Sequence, residues 1–255
     1  MSKSSTYKGV LIPDINTGQE AIDQFIASAH TVDIAAFIEK AGSATGLVYL
    51  LKFDADKRAD VFSHLDLETQ VELARLLSHE EVADIASKMA SDNRVDLFNE
   101  LNPSEQQQLL YDLDKPQRDE VKKLCVYEDE TAGALMSSEY VTLESHLTAA
   151  EAIRKLREDA SKKTAIYRSY IIDASQKLIG VVRLHELILA EDNTPIVELM
   201  DDEPVSMDLE DDQEDVARVI NRYDLTAVPV VDDQQRLMGI VTHDDAADAM
   251  QQETT

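Results

Sequence analysis

Asp92 and Asp96 stand four residues apart in a stretch whose apolar residues recur at three and four, so a helix there puts both carboxylates on one face. Asp245 and Asp248, three apart on another predicted helix, share a face in the same way. Asp224 ends a predicted helix that Asp212 and Glu214 begin. Carboxylate oxygens are hard ligands, and a small divalent cation that keeps most of its water touches only one or two of them. Dispersed acids suit that chemistry better than a tight cage. Each also has a plainer role. Asp60 lies 36 residues before Asp96 in an internal repeat, so the two can be a solvated repeat position. First-turn acids such as Asp212 and Glu214 are ordinary partners of a helix dipole, and Gly133 reads as a turn needing positive φ.

No other chemistry competes. The six histidines show no paired ligand spacing, and with the lone Cys125 they offer no zinc site and no internal disulfide. There is no nucleophile elbow, phosphate loop or glycine-rich fingerprint, so an enzyme is not expected. A net charge of −27 repels nucleic acid and anionic lipid, which argues against both as direct partners. The apolar runs are far shorter than the ~20 residues a membrane helix needs, so direct membrane insertion of this segment is not expected, and Met1 to Asn16 lacks the apolar core of a secretory signal. The charge is unevenly placed. Residues 18–129 hold 23 acids and 11 bases, residues 130–199 hold 11 and 8, and residues 200–255 hold 16 and 3. Two strongly acidic blocks, net −12 and −13, therefore flank a nearly balanced one, and bringing them together without cations is costly.

These acids need a frame. Residues 1–17 have no clear period and read as a loose tail; from 18 to 129 the period is helical, interrupted by Pro103 and Pro116. Arg58 to Asp66 aligns with Arg94 to Asn102 at a separation of 36 residues, with Phe62/Phe98 and Leu65/Leu101 kept. That repeat implies stacked short helices, with Asn102 and Asp114 as N-caps before proline-containing first turns. After Val126 the pattern becomes a tandem of β-branched strands and amphipathic helices, the first copy within 130–199 and the second within 200–255, with about five extra residues near Ser161 to Arg168 in the first. The fold class is thus α + α/β: an all-α helical-repeat superhelical domain followed by a tandem α/β module.

Ala227-Val-Pro-Val-Val-Asp232 followed by Gly239-Ile-Val-Thr-His-Asp-Asp245 resembles a CBS motif, and two such motifs form one pseudo-symmetric Bateman module. Tyr127-Glu-Asp-Glu-Thr-Ala-Gly-Ala-Leu-Met136 is similar to the linker joining a helical N domain to the first CBS motif in the MgtE family of magnesium transporters. Helical repeat, linker and CBS pair occur in that family's order over roughly residues 30–255. The resemblance implies a homodimer formed through the CBS module, at the cytoplasmic face of a membrane. Its regulatory Mg2+ would bind between the helical and CBS domains and favour a closed pore. By motif, the implied metal-binding positions are Asp60, Asp92, Asp96, Gly133 (through its carbonyl), Asp212, Glu214, Asp224, Asp245, Asp248 and Glu253. Carboxylate chemistry alone does not separate Mg2+ from Mn2+ or Ca2+. Full-length members continue into a transmembrane domain, the implied partner of this segment, whereas this chain stops at Thr255 and is expected to be the cytosolic piece of a longer protein. The rival is a stand-alone CBS adenine-nucleotide sensor regulating a partner protein; a third possibility is an acidic helical scaffold. Thr242 and Asp245 keep the Thr and Asp with which many CBS motifs hold phosphate and ribose. The first copy has Arg183 and Glu186 there, and Leu225 stands where an aromatic residue could stack, which weighs against ATP.

Overall fold

The computed structural model describes residues 5–7, 10–159 and 165–253, without the side chains of residues 5–7, 10, 11, 165, 166 and 251–253. The chain divides into two compact units, Met1–Lys123 and Leu124–Thr255.

The first unit opens with an antiparallel hairpin, β1 (Ser5–Tyr7) and β2 (Val10–Ile12), where the sequence suggests a loose tail. Paired backbone and the burial of Ile12 hold this segment, and β2 lies against the second helix of the unit. The helices follow: α1 (Gln19–Ser28), α2 (Thr31–Ala41), α3 (Ser43–Leu50), α4 (Ala55–Ser63), α5 (Leu67–Leu76), α6 (His79–Lys88), α7 (Ser91–Glu100), α8 (Pro103–Asp112) and α9 (Lys115–Leu124).

Their spacing is stricter than the 36-residue repeat suggests. The residues just before these helices are Gly18, His30, Gly42, Asp54, Asp66, Ser78, Ala90, Asn102 and Asp114, one every twelve positions. Asp54, Asp66, Ser78, Asn102 and Asp114 accept hydrogen bonds from amides in the first turn, as N-caps should. Seven residues past each cap from His30 onward the side chain is buried: Phe37, Tyr49, Val61, Leu73, Ile85, Leu97, Leu109 and Val121. Each helix, 8 to 11 residues long, is too short to be stable alone and is held by burying this stripe on its neighbours.

Four residues past the cap, polar side chains tie successive helices together. Arg58, Gln70, Arg94 and Arg118 each donate to the carbonyl of the residue preceding their own cap: Phe53 (3.0 Å), Leu65 (2.9 Å), Met89 (2.7 Å) and Leu113 (2.9 Å). Helix ends leave such carbonyls without intrahelical partners. Arg94, only 4% exposed, also donates Nε to the Ala86 carbonyl and Nη1 to Glu120, both at 2.6 Å.

The second unit contains α10 (Ala132–Leu135), then β3 (Tyr140–Glu144), α11 (Ala149–Asp159), β4 (Ala165–Ile172), β5 (Leu178–Arg183) and α12 (Leu184–Leu189). After a 3-10 turn, β6 (Met207–Asp208), α13 (Gln213–Tyr223), β7 (Ala227–Val231), β8 (Leu237–Thr242) and α14 (His243–Glu253) repeat the order. Each sheet has a parallel pair followed by an antiparallel one, β3-β4-β5 and β6-β7-β8. Most of the extra residues of the first copy, Ser161 to Thr164, lie outside the described residues.

The copies exchange their entry segments. Ser137 bridges to Ile240 and Asp201 to Val181, so each incoming linker adds to the other copy's last strand. Met136 lies over Gly239 and Met200 over Gly180, where any Cβ would fall within 3 Å of the methionine side chain. Tyr170, Ile172, Val181, Ala227, Leu237 and Ile240 form the shared core. Among the described residues no helix is long and apolar enough to cross a membrane.

Candidate functional site

In the helical unit, Asp60 is exposed on α4 and faces His64 Nε2 at 3.7 Å. Asp92 and Asp96 both lie on α7, but helix geometry does not make them equivalent: Asp92 is 9% exposed and its Oδ2 accepts from Asn93 Nδ2 (3.3 Å), whereas Asp96 is exposed.

In the second unit, the linker is bound to the loop before α13. Ala132 donates its amide to the Asp211 carbonyl (2.7 Å), Gly133 to the Leu209 carbonyl (2.9 Å), and Gln213 to the Glu130 carbonyl (2.9 Å). Gly133 thereby sits beside the acidic run Glu210-Asp211-Asp212. Its φ is not positive, contrary to the turn role suggested by sequence; glycine is needed because a Cβ would meet the Tyr127 ring at 2.9 Å and the Leu209 carbonyl at 3.1 Å. Asp212 is the N-cap of α13, accepting from the Glu214 amide (2.8 Å), and Glu214 pairs with Arg218 at 3.6 Å. Both acids therefore have the structural employment that their first-turn position suggested. Asp224 differs. It ends α13 in the left-handed region (φ 51°, ψ 48°), a conformation disfavoured for a side chain, with its carboxylate at the negative end of the helix dipole.

At the start of α14 the Thr242 hydroxyl lies within hydrogen-bonding distance of Asp244 Oδ1 (2.5 Å) and Asp245 Oδ2, and accepts from the Asp245 amide (3.4 Å). One hydroxyl proton cannot serve two carboxylates. Burial pushes the Asp245 pKa up; the Thr242 hydrogen bond opposes this, and the charges of Asp244 and Asp248 add to the rise. Asp244 is not among the site residues expected from the sequence; its place beside the Thr242 hydroxyl comes from the turn into α14. Asp248 is exposed, and the side chain of Glu253 lies outside the described residues.

Among the described residues no three His, Cys, Asp or Glu side chains converge closely enough to hold a metal ion together. The acids come as pairs and singles, a donor set that would hold a cation through one or two carboxylates and its own water. In the first CBS copy, Glu186 instead accepts from the Arg183 amide (2.8 Å), so the position of the Thr242 hydroxyl is taken by an exposed cationic side chain.

A twelve-residue helical repeat joined by a clamped linker to a crossed pair of β-α units defines a helical domain with a CBS pair. Family comparison agrees: residues 29–130 match the MgtE intracellular N domain, and residues 132–193 and 196–252 match the CBS domain. The chain belongs to the MgtE family. It is 34% identical over 92% of its length to the magnesium transporter MgtE of Thermus thermophilus, of which it spans 53%. It superposes with TM-score 0.84 and 34% identity on a crystal structure of the cytosolic domain of the Mg2+ channel MgtE in complex with ATP, covering 90% of this chain and 94% of that one. A structure of the soluble part of a magnesium transporter matches with TM-score 0.82 and 32% identity, covering 92% and 93%. The chain thus corresponds to the cytosolic part of this family and to about half the length of the curated relative.

Proposed function

We propose that this chain is the Mg2+-sensing and gating part of a magnesium transporter, in which Mg2+ bound between the helical unit and the second CBS copy favours the closed state. The charge map carries this reading: blocks of −12 and −13 flank a nearly balanced segment in a chain of the MgtE family. Like charges about 4 Å apart cost only ~1 kcal/mol in water, so one contact decides nothing, but several in a partly desolvated cleft do. Ions that bind only the closed arrangement shift the equilibrium by their differential affinity, and several weak ones give a steep response. Asp60, Asp92 and Asp96 on one side, with Gly133, Asp212, Glu214, Asp224, Asp245, Asp248 and Glu253 on the other, are the proposed contacts. The acting form is a homodimer paired through the CBS module, attached to a transmembrane domain at the cytoplasmic face of the membrane, and its role is regulatory rather than catalytic.

Nucleotide is the second reading, favoured by the ATP complex of the solved relative and by Thr242 and Asp245. Calorimetric titration separates the alternatives. Mg2+ is expected to give saturable, multi-site heat without nucleotide. Saturable ATP heat with no Mg2+ heat would instead favour a nucleotide sensor, and no heat with either would leave the acids as a passive surface.

A further inference from the structure

The linker that presents Gly133 to the acidic loop is held by an aromatic ring. Tyr127 Cγ and Cδ1 lie 2.9 Å from where a Cβ on Gly133 would stand, so the ring fills the space of the missing side chain. The segment between them is closed on itself: the Tyr127 amide donates to the Leu124 carbonyl (3.3 Å), and the Thr131 hydroxyl donates to the Glu128 carbonyl (2.7 Å) and accepts from the Ala134 amide (3.3 Å). Glu130 takes a left-handed conformation (φ 63°) that turns its carbonyl toward the Gln213 amide. The three hydrogen bonds to residues 209–213 are therefore short loop contacts with one bulky anchor behind them. Burial, followed by the charge of Asp232, pushes the Tyr127 phenol up from its ordinary value.

We propose that Tyr127 is the positioning residue of the linker, its ring seated on Gly133 so that Glu130–Gly133 stays docked on the Leu209–Gln213 segment, which carries Asp211 and Asp212 and leads into Glu214 on α13. This rests on the Mg2+-sensing reading for its consequence, since an undocked linker moves Gly133 away from the acidic run beside which its amide is bound. The packing makes a specific demand. Alanine at 133 cannot coexist with the Tyr127 ring; without the ring the remaining close contact is the Leu209 carbonyl at 3.1 Å, which needs a shift of only a few tenths of an ångström, and phenylalanine at 127 supplies the same ring.

Amide exchange on the full chain in EDTA, combined with Mg2+ calorimetry, tests both parts. Tyr127→Ala is expected to speed exchange at Ala132, Gly133 and Gln213 about tenfold while Val228 and Val230 in β7 keep their protection. It should also raise the Mg2+ midpoint about fivefold, with Tyr127→Phe close to wild type. Gly133→Ala should expose the same amides, and the double variant Tyr127→Ala/Gly133→Ala should be better protected there than Gly133→Ala alone. Unchanged exchange in Tyr127→Ala, or a fully protected Gly133→Ala, overturns the packing role. Faster exchange with an unchanged Mg2+ midpoint overturns the link to the cation. A wild-type chain that takes up no Mg2+ overturns the sensing reading itself, while the exchange data still decide the packing.

Discussion

Arg94→Ala is expected to lower the melting midpoint of the helical unit by more than about 10 °C, corresponding to ~3–5 kcal/mol. The guanidinium is buried and meets two carbonyls near the end of α6, Ala86 and Met89, together with the Glu120 carboxylate on α9. Truncation leaves both carbonyls and a partly buried acid without their donor, and an orphaned buried polar group costs far more than an average hydrogen bond gains. Lysine should not rescue it, because a single ammonium cannot reproduce the planar fork that bridges three acceptors. Arg58→Ala is the internal control. Arg58 holds the equivalent position in the repeat but is less buried and makes one bond to the Phe53 carbonyl, so a loss nearer 1 kcal/mol is expected. Circular dichroism melts of the two variants compare them directly; equal shifts would show that the buried network holds nothing beyond the common repeat contact.

Asp245→Asn is expected to stabilise the metal-free protein while weakening its response to Mg2+. Asparagine keeps an acceptor for the Thr242 hydroxyl but removes a half-buried charge that faces Asp244 and Asp248. Relief of like-charge repulsion on the order of 1 kcal/mol raises a domain of this size by several °C. Acid should mimic the substitution. A carboxyl whose folded pKa is raised binds its proton more tightly folded than unfolded, so its contribution is fully present below the ordinary value of 3.8 and is lost as pH rises through the folded value. In EDTA, the wild-type midpoint should therefore gain on the variant as pH falls through that window. In Mg2+ the order should reverse, with wild type gaining more from the ion. An Asp245→Asn protein that is less stable in EDTA, yet unchanged in Mg2+ uptake, would assign Asp245 to helix capping alone.

Much of the frame was legible because it is written in periodic apolar residues. The helix Gln213–Tyr223 stands where its pattern places it, and Asn102 and Asp114 are caps, since both signals are local. The twelve-residue period underlying the 36-residue repeat was hidden by its variable fourth position, occupied by Arg58, Gln70, Val82 and Arg94 in turn, and by Ala90, which lacks a capping side chain. The fixed step of Asp54, Asp66 and Ser78 was the available signal. The pairing of Ser5–Tyr7 with Val10–Ile12 is not legible in the sequence because three-residue strands are too short to show alternation. For the site, spacing placed Asp92 and Asp96 on one helix but could not tell which a neighbour covers. Gly133 invited a backbone explanation because the ring that excludes a side chain, Tyr127, belongs to packing rather than local conformation.

Mg2+ is expected to draw the helical unit and the second CBS copy together. Small-angle scattering from the full chain tests it most directly: excess Mg2+ should give a smaller radius of gyration than EDTA, and Asp92→Asn combined with Asp245→Asn should blunt the change. Identical scattering curves in Mg2+ and EDTA, with ion uptake verified by calorimetry on the same sample, would contradict it.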